Sequence, residues 1–130
     1  MERRVIGLGG VFFKSADPKN LYAWYERHLG IKEDKKGQGV TFPWRRPEDP
    51  SSETCTAWAI FPSDTKYFDP ATAPFMLNYQ VEDLDALLAA LLAEGVTIDP
   101  KREDYDYGRF AWIIDPEGNR IELWEPPKKD

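Results

Sequence analysis

The sequence predicts an α+β protein: two tandem βαβββ modules forming a curved, largely antiparallel sheet (a cup), with helices on its outer face. Three observations predict it. A unit of strand, aspartate, helix and glycine occurs twice, about half the chain apart, which signals two copies of one supersecondary element. Further strand-like runs follow each helix. The last two runs are joined by a tight turn that suits an antiparallel hairpin. At 130 residues the chain is one domain's worth of polypeptide, so we read a single domain over 1–130, with module 1 at about 5–68 and module 2 at about 74–126.

The first strand is the short β-type run 11–15. Asp17-Pro18 then supplies an N-cap with proline at the first helical position, and Leu21, Tyr22, Trp24, Tyr25 and Leu29 make the apolar stripe of a helix that Gly30 ends. Strands are predicted at 39–44 and 54–61, separated by the polar loop 45–52, and the segment 62–74, with its three prolines, reads as the linker between halves. In the second half 76–81 is strand-like and Asp83 caps a helix carrying Leu84, Leu87, Leu88, Leu91 and Leu92. Gly95 closes that helix. Strands 109–114 and 120–124 flank Asp115-Pro116-Glu117-Gly118-Asn119, where proline second and glycine fourth fit a type I turn followed by a left-handed residue.

Composition limits the function. The hydrophobic fraction of 42% and aromatic fraction of 14% are those of a globular protein, and a net charge of -6 argues against nucleic acid. The paired basic residues are scattered among acidic ones and read as solvated surface. No run approaches the roughly 20 apolar residues of a membrane span. The one cysteine, Cys55, forms no internal disulfide, and a cytoplasmic location is expected.

Strand alternation assigns side chains to faces. Ile121 and Leu123 should pack beneath the helices, sending Arg120, Glu122 and Trp124 to the other face. Leu77, Tyr79 and Val81 likewise oppose Met76, Asn78 and Gln80, and Val11 and Phe13 oppose Phe12. If the sheet curls, the second face becomes the inside of a cup lined by Phe12, Trp58, Asn78, Glu122 and Trp124, with Trp44, Met76 and Trp112 added. Aromatic walls holding a few polar groups are the usual make-up of a small-molecule site.

Three segments carry a resemblance to a known family: DPEGNRIELWEP at 115–126, AWYERHLGI at 23–31 and VEDLDALLAALLAEGV at 81–96. Together with the tandem modules they resemble the vicinal oxygen chelate superfamily of glyoxalase I, bleomycin-resistance proteins and extradiol dioxygenases. The resemblance implies four metal-ligand positions in the family's enzymes. Counting seven residues back from Asp17 and Asp83 places two of them at Gly10 and Met76. Glu122 stands at the final carboxylate, and matching WAIFP to ELWEP puts Trp58 at the fourth. Only Glu122 suits a hard cation, so no metal site is expected from these residues. The resemblance also implies a homodimer.

Other constellations read as structural. His28 sits in the last turn of the first helix, where a cation favours the dipole. Gly7-Leu8-Gly9-Gly10 precedes a strand and so is no phosphate loop. The stretch 103–107 reads as an acidic, aromatic surface loop near the cup's mouth, and Cys55 as an inert strand cysteine. The expected function is metal-independent binding of a small aromatic organic ligand, a bleomycin-resistance-like sequestration without nucleic-acid or membrane partners. The first alternative is a metal-dependent glyoxalase-like lyase or isomerase, or a dioxygenase, holding nickel, zinc or iron. The second is a metal-free enzyme with Glu122 as general base.

Overall fold

In the computed structural model, residues 4–128 are described. Element order is β1 (Val5–Ser15), α1 (Pro18–Leu29), β2 (Val40–Arg46), β3 (Asp49–Pro62), β4 (Phe75–Val81), α2 (Leu84–Ala93), β5 (Thr97–Tyr105), β6 (Gly108–Ile114) and β7 (Arg120–Glu125). The strands form one seven-stranded sheet in the order β2-β3-β1-β4-β7-β6-β5. Two pairings are parallel, β1 with β3 and β4 with β7, and the other four are antiparallel. The protein is therefore α+β with a mixed sheet. Its second half follows βαβββ, while the described residues of the first half follow βαββ.

The missing strand has a local cause. Between α1 and β2 the chain runs through a charged stretch with positive φ at Gly37 and Gly39, and Asp34 accepts from the backbone and hydroxyl of Thr41, each at 3.0 Å. Side-chain capping here competes with strand pairing.

Both helices start where aspartates cap them: Asp17 accepts from Asn20 N and Asp83 from Ala86 N. Gly30 ends α1 in the left-handed region. At the end of α2, Val96 N donates to Leu91 O and Gly95 N to Leu92 O, closing the helix as a Schellman turn around Gly95. The 115–119 turn forms as expected, with Gly118 at φ +82°, and joins β6 to β7 as an antiparallel hairpin.

Two expectations are corrected. Most of the predicted polar loop 45–52 is strand, because β2 runs on to Arg46 and β3 begins at Asp49, with Glu53 opposite Arg45 in the ladder. The stretch 103–107 is not a loop throughout: β5 continues to Tyr105 and pairs with β6, Glu103 opposite Phe110.

Directly paired residues point to one side of a sheet. Val11 pairs with Trp58 and Leu77, Leu77 with Ile121, and Ile121 with Ile113, which defines the helix face. There Val81, Leu84, Leu87, Ala111 and Leu123 form a buried cluster under α2. Under α1 the Trp58 ring meets Phe13, Tyr22 and Tyr25, and the Tyr22 hydroxyl accepts from Ile60 N at 2.8 Å. The opposite face carries Phe12, Met76, Phe68, Phe110 and Trp112 as a second buried cluster. No helix among the described residues is long and apolar enough to cross a membrane.

Candidate functional site

A cavity of ≈ 540 Å³ opens on the helix-free face. Ala57 of β3 and Tyr105 of β5 both line it, although four strands lie between those elements in the sheet. In a flat sheet they would stand roughly 24 Å apart, so the arrangement fits a sheet that bends around the cavity.

Its inner end is polar. Glu122 is 2% exposed. Its Oε2 accepts from the Tyr67 hydroxyl and from Trp112 Nε1, the latter at 3.0 Å, and its Oε1 accepts from Asn78 Nδ2 at 2.6 Å. Burial raises the proton affinity of the carboxyl, while the three donors and the Arg120 charge act in the opposite sense. Three donors aimed at one carboxyl group fit its ionised form, which is a pure acceptor. Tyr67 in turn is pushed well above the usual phenol range, first by burial and then by the Glu122 charge, and so serves as a fixed donor.

Arg120 reinforces this corner from beneath. Its Nη1 donates to Tyr67 O at 2.8 Å, its Nη2 pairs with Asp99 at 3.2 Å, and its guanidinium carbon lies 4.7 Å from the Trp112 ring centre. Backbone donation from Lys101, with help from Arg120, holds Asp99 below the usual aspartate range.

The walls are aromatic. Phe110 and Trp124 stack at 5.9 Å, and Tyr105 and Tyr107 stack at 5.0 Å against Phe110. Phe12 closes the β1 side, while Lys101 and Glu103, 3.4 Å apart, sit in the outer wall. Hydrogen bonding to Glu103 raises Tyr105 to about 12. Gly9 allows this packing: a Cβ there would lie 2.2 Å from Asn78 Oδ1 and 3.1 Å from Trp124 Cε3, so no side chain fits.

Of the residues picked from sequence, Phe12, Asn78, Trp112, Glu122 and Trp124 line the cavity. Three do not. Trp58 belongs to the helix face, against α1. The error is one of register. Phe12 and Asn78 each stand five residues before a capping aspartate, and Phe12 pairs with Ala59 as Asn78 pairs with Glu122, so Ala59 and not Trp58 is the counterpart of Glu122. A slip of one residue turns a side chain to the opposite face. Trp44 lies on the edge strand β2, beyond the cavity, where its indole donates to Thr56 Oγ1 at 2.9 Å and covers Gly7. Met76 shares the cavity face but is sealed into the core beside Phe68, 1% exposed.

Sequence reasoning missed Tyr67, Lys101 and Phe110, and set Glu103, Tyr105 and Tyr107 near the cup's mouth without making them part of its lining. Tyr67 lies in the segment read as a linker, which also inserts the fully buried Phe68. In β5, Lys101, Glu103 and Tyr105 face the cavity while Arg102 reaches Asp85 of α2, an alternation of polar residues with no hydrophobic period. The signal available was the pairing of a Tyr-Asp-Tyr-Gly turn with the next strand. His28 makes a ring contact with Trp24 on α1, away from the cavity.

The metal positions implied by resemblance are Gly10, Met76, Glu122 and, with register corrected, Ala59. Three of them offer no oxygen or nitrogen side-chain donor, and the oxygens of Glu122 already serve Tyr67, Asn78 and Trp112. Among the described residues no group of three or more His, Cys, Asp and Glu could hold an ion. The donor set does not fit a divalent cation.

Comparison with known proteins agrees with the architecture. The sequence profile of the Glyoxalase/Bleomycin resistance protein/Dioxygenase superfamily matches residues 11–123. Methylmalonyl-CoA epimerase from Mycobacterium tuberculosis is 25% identical with a TM-score of 0.59, covering 98% of this chain and 93% of its own. A variant of the Streptomyces coelicolor methylmalonyl-CoA epimerase is 14% identical with a TM-score of 0.65, covering 95% and 99%. A halotolerant catechol dioxygenase is 14% identical with a TM-score of 0.61, covering 96% of this chain and 41% of its own. No curated protein sequence matches the chain.

Proposed function

The chain belongs to the Glyoxalase/Bleomycin resistance protein/Dioxygenase superfamily, and from that premise we propose that it binds a small aromatic organic molecule in the helix-free cavity without using a metal. The observation that carries the proposal is Glu122: one buried carboxylate, fixed by three donors, at the end of an aromatic-walled cavity of ≈ 540 Å³. A volume in the few-hundred Å³ range with apolar walls and few polar groups is what small ligands fill. Ring stacking on Phe110 and Trp124 supplies affinity, and the Glu122–Asn78 pair orients the ligand. Tryptophan emission, titrated with a panel of mono- and bicyclic aromatic compounds, should change and saturate. Emission unchanged across the whole panel contradicts the proposal.

A second reading is favoured by the raised proton affinity of Glu122 inside the cavity, which suits a metal-free general base. It requires that Glu122→Gln abolish turnover of a bound substrate while leaving binding intact. Sequestration of the bleomycin-resistance kind, a cytoplasmic location and a homodimer belong to the same proposal, the last tested by sedimentation equilibrium.

A further inference from the structure

We infer that the inner end of the cavity is built to receive hydrogen-bond donors, so that its ring ligand carries an amide, amine or amidine N–H there and not a carboxylate. This deepens the binding function proposed above and rests on it.

The inner wall has committed its strongest donors. The Tyr67 hydroxyl, Trp112 Nε1 and one N–H of Asn78 all go to Glu122, and the Trp124 indole donates to Tyr107 O at 2.8 Å. What remains on the cavity lining is acceptor capacity, since the other buried group without a partner, Arg120 Nε, belongs to a residue that does not line the cavity. A carboxylate oxygen accepts about two hydrogen bonds. Oε2 of Glu122 already has two, and Oε1 has one. Asn78 Oδ1 has no partner at all, although the residue is 2% exposed. Native interiors rarely leave a buried acceptor unmatched, and Asn78 is among the residues that line the cavity, so a ligand donor that displaces the packing beside Gly9 supplies the missing partner. The oxygen lies over Gly9, where even a Cβ would collide with it, so the chain keeps side chains away from that spot.

Charge points the same way. Arg120, the cation beside Glu122, is engaged by Asp99 and by Tyr67 O, and Lys101 is paired with Glu103. The carboxylate of Glu122 is thus the charge at the inner end held by neutral donors only. A cationic donor entering there is attracted, and an anion is repelled and stripped of water without return.

Calorimetric titration of the wild-type chain with benzamidine, benzamide, benzoate and toluene tests the inference, since the four share one ring and similar size. Benzamidine and benzamide should bind at least about tenfold more tightly than benzoate, and more tightly than toluene. Benzamidine, the cation, should also bind more tightly than neutral benzamide, and in Glu122→Gln, with folding checked by circular dichroism, that advantage should be lost. Should that variant not fold, the wild-type ranking decides alone. Toluene binding as tightly as benzamide, or benzoate as tightly as benzamidine, overturns the inference and leaves the binding function standing. Failure of all four probes to bind removes the binding function and the inference together.

Discussion

The two halves of the sheet set corresponding strand pairs, β1 with β3 and β4 with β7, under different side chains. In β7 the cavity face reads Arg120, Glu122 and Trp124, tied to Tyr67, Asn78, Trp112 and Asp99. In β3 the matching positions are Ala57, Ala59 and Phe61, which pack against Phe12 and Phe68 and carry no polar atom. The tryptophan of β3 goes to the other face, into the aromatic cluster below α1. The second half therefore supplies the carboxylate and most of its partners, the 62–74 segment adds Tyr67, and the strands of the first half supply wall and space. In a repeated fold, a function needs only one copy to keep its polar residues.

Truncating the two tryptophans in turn separates the roles of the two faces. Trp58→Ala removes the contacts of a half-buried ring with Phe13, Tyr22 and Tyr25 and should cost about 2–3 kcal/mol of stability in urea unfolding. It should leave affinity for a ring ligand unchanged. Trp124→Ala should do the reverse, weakening binding about tenfold while leaving the aromatic cluster below α1 in place. The same pattern of losses from both variants would refute the division of roles.

Tyr67→Phe tests the polar corner. Losing a donor to a buried carboxylate should cost about 1.5–3 kcal/mol near neutral pH. The loss should shrink in a Glu122→Gln background, where the charge is gone, and a double-mutant cycle reads the difference.

Titration sharpens the contrast further. Burial makes Glu122 hold its proton more tightly in the folded chain than in the unfolded one. Stability should therefore fall as pH rises from the ordinary glutamate value of 4.5 to the raised folded value, and stay level above it. Asp99, held low by Lys101 N–H and Arg120, acts oppositely: its contribution is present above 3.8 and is lost as pH falls towards its folded value. Melting temperatures of wild type and Glu122→Gln should differ in slope only between 4.5 and the raised folded value.

The smallest effect is expected at the sheet edge. Trp44→Phe loses the hydrogen bond to Thr56 and should cost about 0.5–1.5 kcal/mol with no change in ligand binding.

Much of this was legible from residues alone. Asp17, Asp83 and the leucine stripe placed both helices, and the 115–119 turn placed the last hairpin. Strand alternation correctly turned Phe12, Asn78, Glu122 and Trp124 to one face. Trp58 was misplaced because the likeness of two strings as short as WAIFP and ELWEP fixes register only to within a residue, and one residue reverses a strand's faces. β5 was hidden because both its faces are polar, so no hydrophobic period marked it. Tyr67 was invisible for a different reason. Its place over Glu122 depends on how the 62–74 segment crosses the sheet, which no local pattern encodes.

Which face of the sheet holds the ligand is read from the indole N–H signals in the ¹⁵N–¹H spectrum, followed as benzamide is added. The signals of Trp112 and Trp124 should shift and saturate together while those of Trp58 and Trp24 stay in place. Movement of Trp58 with Trp112 and Trp124 unmoved would put the ligand on the helix side and contradict the account.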